Sequence, residues 1–395
     1  AQGILAQACG PLVPLCLLTV ARRPPAMASS AALAANAAGL GVFRLLSAAA
    51  GTQANVVLSP YSLKVCLSMV ADGATKGSAT EKEMAAVLGA EPLVALPGDA
   101  GVDMANSAWV LGGIKADYIK HIQDKFAAEI QSLPGPDPTP INAWVKEKTQ
   151  GRIEKLFEDL DPLTVMVLVN TIFFKGAWAQ PFDAKLTKSG SFRVLDGASV
   201  PCDMMYKKDK QTIYLEALES QVVQLPYAAG GLSAVIFLPK KEGPEALEKL
   251  MEELTPEAWV KTCVALQRGH EHIELSLPRF KVEFESTLTE PLRQLGMPTP
   301  FKGEVGGAFL GLSDDPLVHI DTVVQKAAIE VNEEGTVAVA ATGAVMKTRC
   351  MPPPSVPMIV DRPFLFAIAA SDTTLVFLAK AVSPTLSGIG ATFGK

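Results

Sequence analysis

Charge is scarce in this chain. Only 19% of its 395 residues are Asp, Glu, Lys or Arg, and the net charge is −6. A balance that weak and slightly acidic leaves no electrostatic footprint for nucleic acid or an anionic membrane surface. No run of about 18 uninterrupted apolar residues occurs, which argues against a membrane span. Histidines number four: His121, His270, His272 and His319. None is completed into a metal-ligand set, and His270 and His272 read as a solvated pair on one face of a strand. The six cysteines (Cys9, Cys16, Cys66, Cys202, Cys263 and Cys350) form neither a Cys-x-x-Cys pair nor a disulfide framework. Catalytic signatures are missing too. Gly-x-Ser-x-Gly, the Walker A loop, His-Glu-x-x-His and Gly-x-Gly-x-x-Gly after a strand do not occur, so the chain reads as no enzyme, with no cofactor and no metal.

Present in quantity is apolar side chain, 49% of the total, enough for a sizeable core. Residues 1–26 stand apart. Their apolar patch is broken by Pro11 and Pro14, and Arg22 and Arg23 follow it, whereas a secretory signal places positive charge first. They read as a leader outside the fold, either extraneous, a transit segment or an atypical signal. Scattered thiols and the lack of a clean signal favour the cytoplasm, with the extracellular space as the alternative. Helical spacing predicts helices over 29–50 (ended by Gly51), 61–70 (opened by Ser59-Pro60), 80–88, 116–130 and 141–157, and a short one through Leu288, Leu292 and Leu295 ending at Gly296. The apolar run 165–174 predicts a strand buried on both faces. Residues 222–238 read as two strands around Gly230-Gly231, two more bend at Pro278, and 363–381 is strand-rich. Helices cluster early and strands late with no linker between, so residues 27–395 read as one α+β domain.

Residues 330–349 carry the functional signal. Glu333, Glu334 and Gly335 lead into a run of small side chains that ends at Lys347, Thr348 and Arg349, before Pro352-Pro353-Pro354. The run is too thin in large side chains to build a core. No Pro occurs from Gly335 to Arg349, so every N–H is free to join a β-ladder. Alternate positions are Thr336, Ala338, Ala340, Thr342, Ala344, Met346 and Thr348, and the first five could enter a packed sheet face with little rearrangement. A flexible Ala-rich linker is the plainer alternative.

Several segments in fixed order resemble the serpin family from about Ala31 to Pro384: 55–62 (Asn-Val-Val-Leu-Ser-Pro-Tyr-Ser), 169–178 (Val-Asn-Thr-Ile-Phe-Phe-Lys-Gly-Ala-Trp), 276–281 (Ser-Leu-Pro-Arg-Phe-Lys), 325–336, 361–366 (Asp-Arg-Pro-Phe-Leu-Phe) and 377–384. The resemblance implies an α+β fold of three β-sheets and about nine helices. It also implies a reactive-centre loop over about 335–357 and a metastable native state. It places a hinge at Glu333, Glu334, Gly335, Thr336, Ala338 and Ala340. Ser59, Ser62, Asn170 and Gln325 fall in the shutter under the main sheet, and Trp178 in the breach at its top. Segment 276–281 corresponds to paired strands of the second sheet. In inhibitory members the scissile bond lies fourteen residues beyond the hinge Gly, which here selects Arg349–Cys350, with Lys347 as the fallback.

The implied activity is irreversible, suicide-substrate inhibition of Arg-specific trypsin-like endopeptidases, extending to Arg-specific cysteine peptidases. The partner would be the target protease, held as a covalent acyl-enzyme, and the inhibitor a monomer. A non-inhibitory carrier, chaperone or storage role is the rival. Such members tend to bulky, charged or Pro residues where this chain has Thr336 and alanines. Three departures stand out. Gln325 replaces a common shutter His, so no charge switch near neutral pH operates there. The chain between Gly89 and Asn106 is short, so the helix that carries heparin-binding residues in some members is truncated and no heparin-type cofactor is expected. Cys350 replaces a common Ser, either as a redox-sensitive thiol or as a spacer.

Overall fold

The computed structural model of the chain describes residues 28–151, 153–269, 271–303, 306–335 and 355–384. Its helices are α1 (Ser30–Ala50), α2 (Pro60–Ala71), α3 (Ala79–Leu88), α4 (Ala116–Phe126), α5 (Thr139–Lys148), α6 (Pro244–Glu253), α7 (Pro256–Leu266) and α8 (Thr289–Gln294). Ser29, Ser59, Ser78 and Thr255 each accept the backbone N–H three residues on, opening α1, α2, α3 and α7. Gly51 and Gly296, both with positive φ, follow α1 and α8 where the sequence placed their ends. Although α1 is long and apolar enough to cross a membrane, its buried face packs within the protein, so the length test decides nothing.

Fourteen strands are described: β1 (Val56–Leu58), β2 (Val102–Leu111), β3 (Glu129–Leu133), β4 (Met166–Phe174), β5 (Lys188–Arg193), β6 (Ser199–Ala217), β7 (Ser220–Pro226), β8 (Ser233–Pro239), β9 (Glu271–Pro278), β10 (Phe280–Thr287), β11 (Thr322–Val331), β12 (Val356–Ile359), β13 (Phe364–Ala369) and β14 (Leu375–Ala381). One sheet has the order β10-β11-β4-β2-β3 and the other β1-β14-β13-β8-β7-β6-β9-β12, with β5 also on β6. Strand β6 pairs with β9 up to Thr212, with a register shift after Asp209, and with β7 from Ile213. The resemblance implies three sheets; among the described residues the larger array divides at β6 into two ladders, β1-β14-β13-β8-β7-β6 and β5-β6-β9-β12, beside the smaller sheet. Among the described residues there are eight α-helices and two short 3-10 turns, against the about nine helices that the resemblance implies.

Strand β4 is buried on both faces, as its apolar run predicts. Met166, Leu168, Ile172 and Phe174 enter the main core, while Val167 and Val169 join Trp109, Ile141, Trp144 and Val145 under α5. Between the sheets, Phe174 meets Tyr227 and Phe377 edge-on, at ring-centroid distances of 4.7 and 5.9 Å. Helix α2 packs against β2, β4 and β14, so its N-terminus lies directly under the smaller sheet.

Four sequence readings are corrected. The helix expected to reach Ile130 stops at Phe126. Ala127 turns left-handed (φ 49°), and Ile130 is buried as a strand residue pairing with Ala108. The helix expected to reach Phe157 stops at Lys148, and the chain beyond is gathered by Asn142, whose side chain bonds the backbone of Leu156 and Phe157. Residues 276–281 do not form a strand pair: β9 and β10 meet at Pro278 and Phe280 but belong to different sheets. His272 is buried, not solvated; His270 lies outside the described residues. No helix occupies residues 89–101.

Long-range polar clips hold α1 and α7 to the larger sheet. The buried Asn36 amide donates to the Thr373 carbonyl (3.0 Å) and accepts from Leu375 N–H (2.8 Å), and Trp259 Nε1 donates to the same carbonyl. Asn36→Ala leaves the buried Leu375 N–H without its partner, at roughly 1–3 kcal/mol, while the Thr373 carbonyl keeps Trp259. A lowered thermal midpoint is the expected result, and an unchanged midpoint would show that α1 docks by apolar burial alone.

Candidate functional site

The parallel pair β4–β11 runs in register from Val167↔Thr322 to Phe174↔Ile329. At its middle, Gln325 is opposite Asn170, and Asn170 is opposite Asn106 on β2. Three polar side chains thus form a row across three adjacent strands. Gln325 Nε2 donates to Asn170 Oδ1 (2.6 Å), and Asn170 Nδ2 donates to Asn106 Oδ1 (2.5 Å) and to Ser62 Oγ. The Gln325 amide also brackets Ser59, accepting its N–H (2.8 Å) and donating to its carbonyl (3.2 Å). Ser59 Oγ donates to Val376 O (2.6 Å) while accepting from Ser62 N–H. One network therefore ties the smaller sheet to the N-terminus of α2 and to β14. All five side chains are buried, where an unpaired amide would be costly, so the row is stable only while every member keeps its partners.

The top of the seam is closed by a second cluster. Past β11, Asn332 and Gly335 exchange backbone hydrogen bonds (2.8 and 3.3 Å), and Gly335 bridges to Ala177. Trp178 Nε1 donates to Asn332 O (3.0 Å), Trp178 N to Glu334 O (3.0 Å) and Phe182 N to Glu333 O (2.8 Å). The Trp178 ring stacks on Tyr227 at 4.4 Å. Gly335 has φ 129°, and a Cβ there would lie 2.1 Å from Gly176 O, so both conformation and space demand glycine. Glu333, only 5% exposed, receives Arg279 through Nε (2.8 Å) and Nη2 (2.6 Å), with Thr187 Oγ1 as a further donor. Burial pushes its carboxyl up, but the Arg279 and Thr187 hydrogen bonds and the guanidinium charge together hold it below the usual carboxylate range. Arg279 Nη1 reaches on to Asp203 (3.2 Å), joining the clasp to β6.

The opposite end of the seam is anchored by Asp321, whose Oδ2 accepts the N–H groups of Val165 (2.5 Å) and Met166 (2.7 Å). Its other oxygen meets His319 Nε2 at 3.1 Å, and this bond raises the His319 pKa.

Of the residues singled out from sequence, Ser59, Ser62, Asn170 and Gln325 come together at mid-seam. Glu333, Glu334, Gly335 and Trp178 meet at its top. Thr336, Ala338, Ala340, Arg349 and Cys350 lie outside the described residues. Sequence reasoning missed Asn106, Thr187 and Tyr227, and it quoted Arg279 only as part of a motif. Asn106 becomes visible only once β2 is registered on β4. Among the described residues no cluster of three or more His, Cys, Asp or Glu could hold a metal. The described thiols, Cys66, Cys202 and Cys263, are buried and unpaired. Burial pushes Cys66 up to about 12 and raises the other two, which disfavours the reactive thiolate in each.

Two consequences are measurable. Asn170→Ala strips three side chains of a partner at once and should cost roughly 2–4 kcal/mol; a loss under about 1 kcal/mol would mean the row rearranges around the gap. Glu333 has a folded pKa below its ordinary value of 4.5, so the folded state binds fewer protons than the unfolded one. Its stabilisation is present above that ordinary value and fades as pH falls through the lower folded one. Arg279→Ala should flatten this acid limb in denaturant midpoints measured against pH, and an unaltered limb would remove Glu333 from the account.

A sequence model of the serpin (serine protease inhibitor) family matches residues 33–384. Serpin-Z1C of Triticum aestivum is 34% identical over 370 residues, covering 84% of this chain and 91% of that protein. Serpin B6 of Pongo abelii is 35% identical, covering 84% and 93%, and the leukocyte elastase inhibitor of Bos taurus 33%, covering 84% and 93%. Among solved structures, the thermophilic serpin tengpin in the native state superposes with a TM-score of 0.77 at 25% identity, covering 89% of this chain and 94% of that one. With the ordered motifs, the β4–β11 seam and these matches in agreement, the chain belongs to the serpin family.

Proposed function

We propose that the protein is an irreversible inhibitor of Arg-specific trypsin-like serine endopeptidases, acting by cleavage after Arg349 and insertion of the freed loop between β4 and β11. The observation that carries this reading is the parallel seam with Gly335 clasped at its top. Strands β4 and β11 run parallel, so a segment folding back from Gly335 would lie antiparallel to both. One parallel ladder would be exchanged for two antiparallel ones, which pair slightly better per residue. Small side chains at Thr336, Ala338, Ala340, Thr342 and Ala344 suit the face that must enter the core. On the other face of the sheet a cleft of about 520 Å³ lies over Thr171, Phe173, Lys326 and Ala328, leaving room beneath the chain that follows α5.

In this mechanism the protease nucleophile attacks the Arg349 carbonyl and forms an acyl-enzyme. The Arg349 side chain supplies the cation that an acidic specificity pocket recognises. Insertion outruns deacylation, so the ester persists and the distorted protease stays attached. A cysteine thiolate attacking the same carbonyl forms the equivalent thioester acyl-enzyme, so Arg-specific cysteine peptidases fall within the proposed range. Inhibitory relatives such as the leukocyte elastase inhibitor support the general activity.

Incubation with trypsin should give an SDS-stable complex, and Arg349→Glu should slow its formation by at least about a hundredfold, because the acidic pocket then meets like charge. Thr336→Arg should still be cut at Arg349 but yield free protease, since a buried unpaired charge stalls insertion. Cleavage of the unmodified protein should raise its thermal midpoint sharply. Cleavage after Arg349 with neither complex nor stabilisation would overturn the proposal in favour of a carrier or storage role.

A further inference from the structure

A cavity of about 460 Å³ lies between the C-terminal end of α1, helix α6 and β14, away from the seam and its clasp. Sites for small organic ligands run about 300–1,000 Å³. Leu45, Leu195, Leu247 and Met251 supply an apolar lining, and two polar side chains among the lining residues are almost wholly buried: Lys380, 2% exposed, and Ser47, 5% exposed.

Neither polar group is satisfied. The Lys380 ammonium has three N–H donors but, among the described residues, makes one hydrogen bond, to Gly51 O (2.8 Å) at the end of α1. Among the described residues no carboxylate comes within ion-pair distance of it. Burial pulls its pKa down to about 8, with the charge of Glu248 opposing from farther off. Ser47 Oγ is buried, and among the described residues it has no hydrogen-bond partner. A desolvated cation and an orphaned hydroxyl lining one cavity each cost stability, and a single anionic acceptor would relieve both. Arg44 adds a second positive charge, held in place by the carbonyls of Met251, Glu252 and Leu254 (2.9–3.2 Å). Glu248 and Glu252 also line the cavity, and both are exposed. Their charge disfavours a ligand with more than one negative group.

We propose that this cavity binds a small monocarboxylate with an apolar body, its carboxylate on Lys380 and Ser47 and its hydrocarbon against Leu195, Leu247 and Met251. The site does not depend on the inhibitory reading, since no residue of it belongs to the seam, the clasp or the loop. Decanoate is a suitable probe and decanol its uncharged match, titrated calorimetrically into the full chain. Saturable decanoate binding is expected, with decanol weaker by about tenfold or more. Ser47→Ala should weaken decanoate several-fold, and Leu247→Trp, which fills the cavity, should abolish binding. Lys380→Met should abolish it too. If that variant fails to fold for want of the Gly51 bond, the pH profile of the unmodified protein replaces it. Decanoate affinity should fall as pH rises through about 8, where Lys380 loses its proton, while decanol affinity stays flat. Absence of saturable decanoate binding, equal affinity for decanol, a flat decanoate profile, or binding untouched by both Ser47→Ala and Leu247→Trp would each overturn the assignment.

Discussion

Strands β4 and β11 meet along eight residue pairs, and the side-chain bond from Gln325 to Asn170 crosses the middle of that contact. The rest of the molecule is arranged around this seam. Helix α2 is seated by it, because Ser59 N–H donates to the Gln325 amide and Ser62 Oγ accepts from the Asn170 amide. The larger sheet is tied in through Ser59 and Val376. A neutral polar row is well suited to a contact that, under the proposed insertion, holds and later parts. An apolar seam would separate only by exposing hydrocarbon, and a buried ion pair would leave charges stranded. Amides and hydroxyls can change partners without changing charge, so an incoming strand with its own N–H and C=O groups could satisfy them again. Gln325 keeps this property at every pH, which a histidine would not.

Strain and space at Gly335 set where such parting would begin. The chain leaves β11, turns tightly through Asn332 to Gly335, and touches Gly176 and Ala177 so closely that only glycine fits. Arg279 fixes Glu333 within the turn, and the Trp178 indole N–H donates to the carbonyl of Asn332 at its start. The clasp thus couples the first loop residue to β6 and to the stacked Trp178–Tyr227 pair. Its strength is electrostatic and local, unlike the distributed core below it.

Much of this was legible in the chain before folding, and the limits have a physical pattern. Ser59-Pro60, Gly51 and the run 165–174 act through neighbours a few residues away, so caps, helix ends and the doubly buried strand were readable. So was the small-residue segment after Gly335, because it violates the composition of both core and surface. Ordered motifs then brought Ser59, Ser62, Asn170 and Gln325 to one place. What stayed hidden depends on long-range pairing. Ile130 fits a helical face perfectly well, and only the parallel ladder with β2 makes it a strand residue. Pro278 marks a bend in the sequence but does not say that the chain changes sheets there. Asn106 has no local signature, and Arg279 looks like any surface cation until Glu333 is folded against it. Lys380 and Ser47 are ordinary members of a strand and a helix until their shared cavity exists.

The two ends of the seam are unequal, and this gives the proposed insertion a direction. At the top, Glu333 and its partners hold only a turn, and breaking them releases Gly335 without disturbing β4. At the bottom, Asp321 accepts two N–H groups at the start of β4 and donates its own N–H to Met166 O, so parting there would strand several backbone donors at once. The neutral row stands between them. Opening from the top therefore costs one clasp before any gain, and each further step can exchange an amide partner for a strand hydrogen bond. Opening from the bottom would forfeit the anchor first and gain nothing until the whole seam had parted. The asymmetry explains how one molecule could be kinetically secure while intact and still open in a single order once its loop is cut.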